Sequence, residues 1–172
     1  MGRKISVIGS CCSGKTTLAA QLAQRLGVPH VELDALHHGP NWREATADEL
    51  RAKVEETLAK VDGWVVDGNY MGKLGTYVID RADMIVWLDL PLRMLLRRIW
   101  RRTHARRRDR VQLWHEGNYE TWRGWWLLTT YTIRTHHRRR RYWPPRFEGK
   151  NVVRLRSPAD ANAWLAAFPG RA

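Results

Sequence analysis

The chain has 172 residues, 44% hydrophobic and 27% charged, an ordinary globular balance that excludes a mostly disordered chain or a collagen-like fibre. A length of 172 residues supports a core without disulfide staples, so one domain over residues 1–172 is expected. Lys plus Arg total 30 against 17 Asp plus Glu, and the resulting net charge of +13 calls for anionic partners.

Lys4 to Gly9 is a β-branched run ending in glycine. The stretch Lys15 to Leu26 then places Leu18, Leu22 and Leu26 four residues apart, which predicts a helix with one buried face and Gly27 as its stop. His30 to Leu33 reads as a second strand. A helix follows from about Ala47 to Lys60, capped by Thr46 or Asp48. Asp62-Gly63 turns the chain into a third strand, Trp64 to Val66, which ends at Asp67-Gly68. A fourth strand, Asp83 to Leu88, ends at Asp89, and Pro91 opens a helix carrying Leu92, Leu95, Leu96 and Ile99. Asn151 to Leu155 and Ala159 to Phe168 read as a fifth strand and a closing helix. Alternating strands and helices, with strands apolar on both faces, predict an α/β fold in three layers around a parallel sheet. The longest apolar runs fall far short of the ~18–20 residues of a bilayer span, and the apolar part of the amino-terminal segment is too short for a signal-peptide core. A cytoplasmic location is therefore expected.

Gly9-Ser10-Cys11-Cys12-Ser13-Gly14-Lys15-Thr16 fits G-x-x-x-x-G-K-[ST] at every fixed position, after a predicted strand and before a predicted helix. Such a loop turns consecutive N–H groups inward, and the helix amino terminus adds positive potential, so the phosphates of a nucleoside triphosphate are the expected ligand. Lys15 is assigned to the β- and γ-phosphates and Thr16 to Mg²⁺, and the nucleotide-binding set runs from Gly9 to Thr17. Cys11 and Cys12 sit at free positions. As adjacent residues they make a poor structural disulfide, so they are expected to be reduced.

Ligands of open parallel sheets bind beyond the carboxyl ends of the strands, and three aspartates stand there. Asp67 is the first choice for the metal side, with Asp89 as the alternative. Asp89 is otherwise expected to cap the helix that Pro91 opens. Asp34 is the candidate to bind or deprotonate an acceptor hydroxyl. His37, His38, His136 and His137 lack further ligands at workable spacing and read as solvated or hydrogen-bonded.

Residues 93–146 hold 16 Arg, no Lys and only Asp109, Glu116 and Glu120 as acids, so the excess positive charge is concentrated there. Arg93, Arg97 and Arg101 share a helical face, and Arg97 and Arg101 are expected to act as phosphate-facing lid residues. Trp122, Trp126 and Ile133 fall at spacings that predict one packed helical face. Base stacking by Trp114 or Trp125 is the other use open to the tryptophans. A nucleic-acid-binding NTPase-like protein, using its arginine segment on a DNA or RNA backbone, is the alternative reading.

The loop with Thr17, together with Leu33-Asp34, Asp67-Gly68-Asn69-Tyr70, Asp80-Arg81-Ala82-Asp83, Leu88-Asp89-Leu90-Pro91 and the arginine-rich helix, resembles the bacterial topology modulation proteins, which are similar to adenylate kinase. The resemblance covers nearly the whole chain. It implies a P-loop NTPase fold with a five-stranded parallel sheet, like that of nucleoside monophosphate kinases, and an arginine-rich helical lid at about 93–146. It also implies Mg²⁺-ATP binding and γ-phosphoryl transfer to a small-molecule acceptor such as a nucleotide or nucleoside, with Asp67-Gly68 and Arg97/Arg101 on family features. The segment Asn69-Tyr70-Met71-Gly72-Lys73 lacks the Pro-Arg with which adenylate kinases hold the acceptor phosphate, so the acceptor is not identified by the motif.

Overall fold

The structure, a computed structural model, describes residues 3–170. Five strands, β1 (Lys4–Gly9), β2 (His30–Glu32), β3 (Trp64–Asp67), β4 (Met84–Leu88) and β5 (Val152–Leu155), form one sheet in the order β2-β3-β1-β4-β5. Every pairing is parallel, with Val7 opposite both Asp67 and Val86. The central position of β1 delivers the phosphate loop to the middle of the sheet's carboxyl edge, where ligands of such sheets bind.

Alternation along the strands sends side chains to two layers. Ile5 and Val7 pack with Leu18, Leu22 and Leu26 of α1 (Lys15–Leu26) and with Leu165 of α8 (Pro158–Ala167). On the opposite face Trp64 and Val66 meet Leu50, Val54 and Leu58 of α3 (Ala47–Ala59). Thr46 caps α3 in a reciprocal box with Glu49.

Three short helices depart from the expected pattern. Strand β2 stops at Glu32, and Leu33 already belongs to α2 (Leu33–His37), while α4 (Met71–Leu74) and α5 (Tyr77–Asp80) follow β3. Helices of four or five residues are too short to show a hydrophobic period, so the sequence carries no signal for them.

The arginine-rich segment is a helical pair, α6 (Leu92–Arg108) and α7 (Trp122–Arg146), joined by residues 109–121. The expected packed face of Trp122, Trp126 and Ile133 is corrected: these side chains are 44%, 59% and 44% exposed. The face that α7 buries carries Thr132, His136 and Trp143 instead. Trp143 and Phe147 close over Trp87 of β4, which fixes the end of α7 to the sheet. Trp122 stacks on Trp100 of α6, ring centres 5.5 Å apart, beneath the Arg107 guanidinium. Spacing alone could not tell this surface aromatic cluster from a core stripe.

Candidate functional site

The loop after β1 has the backbone a phosphate cradle needs. A Cβ on Gly9 would lie 2.7 Å from both the Leu88 carbonyl and Ser13 Oγ, and Gly14 enters α1 at φ 98°, a conformation costly for a side chain. Ser13 N–H bonds the Ser10 carbonyl at 3.2 Å, and the buried Ser13 Oγ has no protein partner. Lys15 Nζ lies over the turn, 3.1 Å from the Ser10 carbonyl. Asn69, two residues beyond the end of β3, holds the loop's first residue: its Oδ1 accepts from Gly9 N–H at 3.0 Å, and its amide donates to the Gly9 carbonyl.

Thr16 and Asp67, assigned together to a metal, stand together: Thr16 Oγ1 is 3.4 Å from Asp67 Oδ1. Asp67 is almost fully buried, and its other oxygen meets His30 Nε2 at 2.7 Å. A hydroxyl and a carboxylate oxygen at the loop mouth suit Mg²⁺, which takes few protein ligands and completes its shell with phosphate and water. Among the described residues no group of three His, Cys, Asp or Glu side chains forms a metal cage. Thr17 lies one position further along α1, on its exposed side.

Asp89 is corrected on both of its expected uses. The helix after it has Pro91 at its cap with no side-chain bond, and the buried Asp89 carboxylate is held by two arginines. Arg140 Nε of α7 donates to one oxygen at 2.7 Å and Arg154 of β5 to the other at 2.6 Å, so both oxygens are committed, the first to tying α7 to the sheet.

The arginine face is displaced by one residue from the expected one. Arg97 and Arg101 are exposed on α6. Arg98 donates instead to the Cys12 and Ser13 carbonyls at 3.4 and 3.2 Å. Arg102 bridges Cys11 and Glu120, the latter at 3.2 Å. From α7, Arg139 donates to Ser10 Oγ at 3.1 Å while its guanidinium lies over Tyr131 and Trp143. Arg98, Arg102 and Arg139 therefore bring three cations from the two lid helices onto one loop.

Asp34, in the first turn of α2, accepts from Tyr70 O–H at 2.7 Å. Burial and the Asp34 carboxylate push the Tyr70 phenol well above its ordinary range, so Tyr70 stays a donor. Around them His38 stacks on Trp114 with ring centres 5.6 Å apart, and Trp42 meets Trp114 edge-on. Lys73 is engaged by the Ala45 carbonyl at 2.8 Å and by Glu44 at 3.3 Å, and Arg43 by Glu49 at 2.7 Å. Burial lowers the affinity of His37 and His38 for protons, leaving both rings neutral near neutral pH.

The lid is latched over this side. Asn118, fully buried, accepts from Trp42 N–H at 2.6 Å and donates to the Gly39 carbonyl at 3.1 Å, and Asn41 N–H reaches the Glu116 carbonyl at 2.9 Å. Asn118 was not singled out from sequence, and Tyr70 and Arg139 were given no individual role. Tyr70 alone had a local signal, standing three residues after Asp67.

No protein-family model matches the chain. A cytidylate kinase from Pyrococcus horikoshii is 28% identical over 108 residues, 57% of this chain and 56% of that protein. A shikimate kinase from Synechococcus elongatus is 28% identical over 110 residues, again 57% of this chain and 58% of that protein. The chain thus spans a little over half the length of these curated relatives. Among solved structures, a gluconokinase from Sinorhizobium meliloti superposes with a TM-score of 0.54 at 22% identity, over 95% of this chain and 91% of that one. The three-layer fold with its five-stranded parallel sheet is that of the P-loop kinases.

Proposed function

We propose that this chain transfers the γ-phosphoryl group of Mg²⁺-ATP to a hydroxyl of a small molecule. The observation that carries the reading is the convergence of Lys15, Arg98, Arg102 and Arg139 on one glycine-turned loop at the carboxyl edge of the sheet. Similarity to kinases of cytidylate and of shikimate, and a fold shared with a gluconokinase, support it.

The loop amides and Lys15 bind the triphosphate tail, and the lid arginines hold the charge of the transferring group while the closed lid excludes water. Ser13 Oγ, buried without a protein partner, is a donor left for a phosphate oxygen. Thr16 and Asp67 would hold the metal, which would supply positive charge to offset that of the phosphates. Asp34, oriented by Tyr70, accepts the proton of the attacking hydroxyl. The acceptor side offers carboxylate, phenol and neutral imidazole, while Lys73 and Arg43 are already paired. That lining favours an acceptor recognised by hydroxyl groups over one recognised by a phosphate.

The test is a phosphoryl-transfer screen over nucleoside monophosphates, nucleosides and neutral polyols, with ATP hydrolysis as control and calorimetry for Mg²⁺-ATP. Transfer to a hydroxylated acceptor is expected. Absence of ATP binding would refute the assignment at its root.

A further inference from the structure

The phosphate loop contains two sulfur atoms that the kinase reading does not use. Cys11 and Cys12 are free thiols, both half-buried, with their Sγ atoms 3.8 Å apart. A cradle of backbone amides asks nothing of the side chains at these positions. Yet this pair sits at the amino-terminal end of α1, with Lys15 beside it and the Arg102 side chain against Cys11. The bond from the Cys12 thiol, reinforced by the charges of Arg102 and Lys15, holds the Cys11 thiol down at about 6, whereas the same bond and burial push Cys12 up. The pairing thus favours the thiolate on Cys11 and the thiol on Cys12, 3.8 Å away.

We propose that Cys11 and Cys12 form an oxidation site for hydroperoxides, with Cys11 as attacking sulfur and Cys12 as resolving sulfur, whose product opens the phosphate cradle. The proposal rests on the loop being the triphosphate site. In the first step Cys11 Sγ attacks the peroxide, the O–O bond breaks, and the departing hydroxide or alkoxide takes a proton. Cys11 becomes a sulfenic acid. Cys12 Sγ then attacks Cys11 Sγ, the S–O bond breaks, and hydroxide leaves with the Cys12 thiol proton as water. Two thiols are oxidised by two electrons in all, and one hydroperoxide is reduced to water and an alcohol, or to two waters from hydrogen peroxide.

The loop's own geometry makes this product incompatible with phosphate binding. Adjacent Cα atoms lie ~3.8 Å apart across a trans peptide, below the roughly 4.4–6.8 Å that disulfides span. Closing the ring on that short, fixed spacing strains the peptide between the two residues and the torsions beside it, and Cys12, now at φ 58°, loses the conformation that curls the loop. The N–H groups of Cys12 and Ser13 move with it. Strain also makes such a bond easy to reduce, which suits a reversible modification. Linkage requires the converse: bound nucleotide must protect the thiols.

Calorimetry first measures Mg²⁺-ATP binding to the fully reduced chain, and no binding there overturns the triphosphate reading and this proposal with it. If the reduced chain binds, hydrogen peroxide is applied with and without nucleotide, and the tryptic peptide Ile5–Lys15, which holds both cysteines, is weighed. The expected result is loss of two hydrogens from that peptide, an affinity at least about tenfold weaker, recovery with dithiothreitol, and slowed oxidation when nucleotide is present. Each variant is then compared with its own reduced form: Cys12→Ser should stop at a sulfenic acid trapped by dimedone, and Cys11→Ser should show no peroxide response. An oxidised wild-type chain that binds ATP as before, or a peptide whose mass is unchanged after peroxide, overturns the proposal.

Discussion

Helix α1 has 12 residues and buries Leu18, Ala19, Leu22, Ala23 and Leu26, whereas α7 has 25 and buries Thr132, His136 and Trp143. The first is held by apolar area, with a fully buried leucine contributing about 1.5–3 kcal/mol. The second has one apolar anchor, Trp143 on Trp87, and is otherwise held by polar contacts: Arg140 to Asp89 from the helix itself, and Arg106 and Arg102 to Glu120 and Asn118 at the latch from α6 and the segment that leads into it. The seam between α6 and α7 also leaves Thr103, Thr129 and Thr132 hydroxyls and His136 Nδ1 without protein partners. A region joined by polar contacts over an imperfectly satisfied seam opens at lower free energy than one joined by an apolar core. Such a division suits the proposed phosphoryl transfer, which asks for a rigid loop and for arginines on a part that can open.

The comparison breaks first, and most widely, at Lys15. Lys15→Ala is expected to lower turnover by at least about a hundredfold, the scale of losing one charge-stabilising donor, with circular dichroism unchanged because no core contact is touched. Retained turnover would place the phosphates elsewhere than on the rigid loop. Next is the lid's inward face. Arg98→Ala should reduce kcat/KM by about tenfold or more, while Arg97→Ala, on the solvent side of the same helix, should stay within about twofold. Equal losses would mean that α6 rotates on closing.

Asp89→Asn tests the polar anchor itself. It removes the charge that Arg140 and Arg154 share, and hydrogen bonds to charged groups are worth about 1.5–3 kcal/mol. Both arginines are about one-third exposed, so screening favours the lower end of that range. A loss of about 1.5 kcal/mol, or roughly 3–6 °C in Tm for a chain of this size, is expected in thermal unfolding. No change in Tm would show that the lid is not held to the sheet through this carboxylate.

What was legible in sequence follows the same division. The strands and the loop could be read because Lys4–Gly9, Trp64–Asp67 and Met84–Leu88 are short apolar runs next to a fixed-spacing motif. The lid could not be phased from arginine spacing, since Arg93, Arg97 and Arg101 are as regular as Arg98 and Arg102. The usable signal lay in Leu95, Ile99 and Thr103, the buried positions, which turn Arg98 and Arg102 rather than Arg97 and Arg101 toward the loop. Asp89 looked like a cap because its arginine partners lie 51 and 65 positions away. Asn118 gave no signal at all: its bond to Gly39 spans 79 positions and exists only once the lid is folded over.

The smallest expected effect has the sharpest sign. In an apolar core, Leu22→Ala should cost about 2–5 kcal/mol through lost transfer energy and the cavity left behind. In the seam, Thr132→Val exchanges a fully buried hydroxyl that has no protein partner for a methyl group of similar size. Removing an unsatisfied polar group relieves its desolvation penalty, so stability should be unchanged or rise by up to about 1 kcal/mol. Hydrogen exchange along α7 should slow in step, because the opening that exposes this seam becomes costlier. If Thr132→Val instead destabilises as much as Leu22→Ala, the hydroxyl is bonded within the folded lid, and the lid is as firmly built as the sheet it covers.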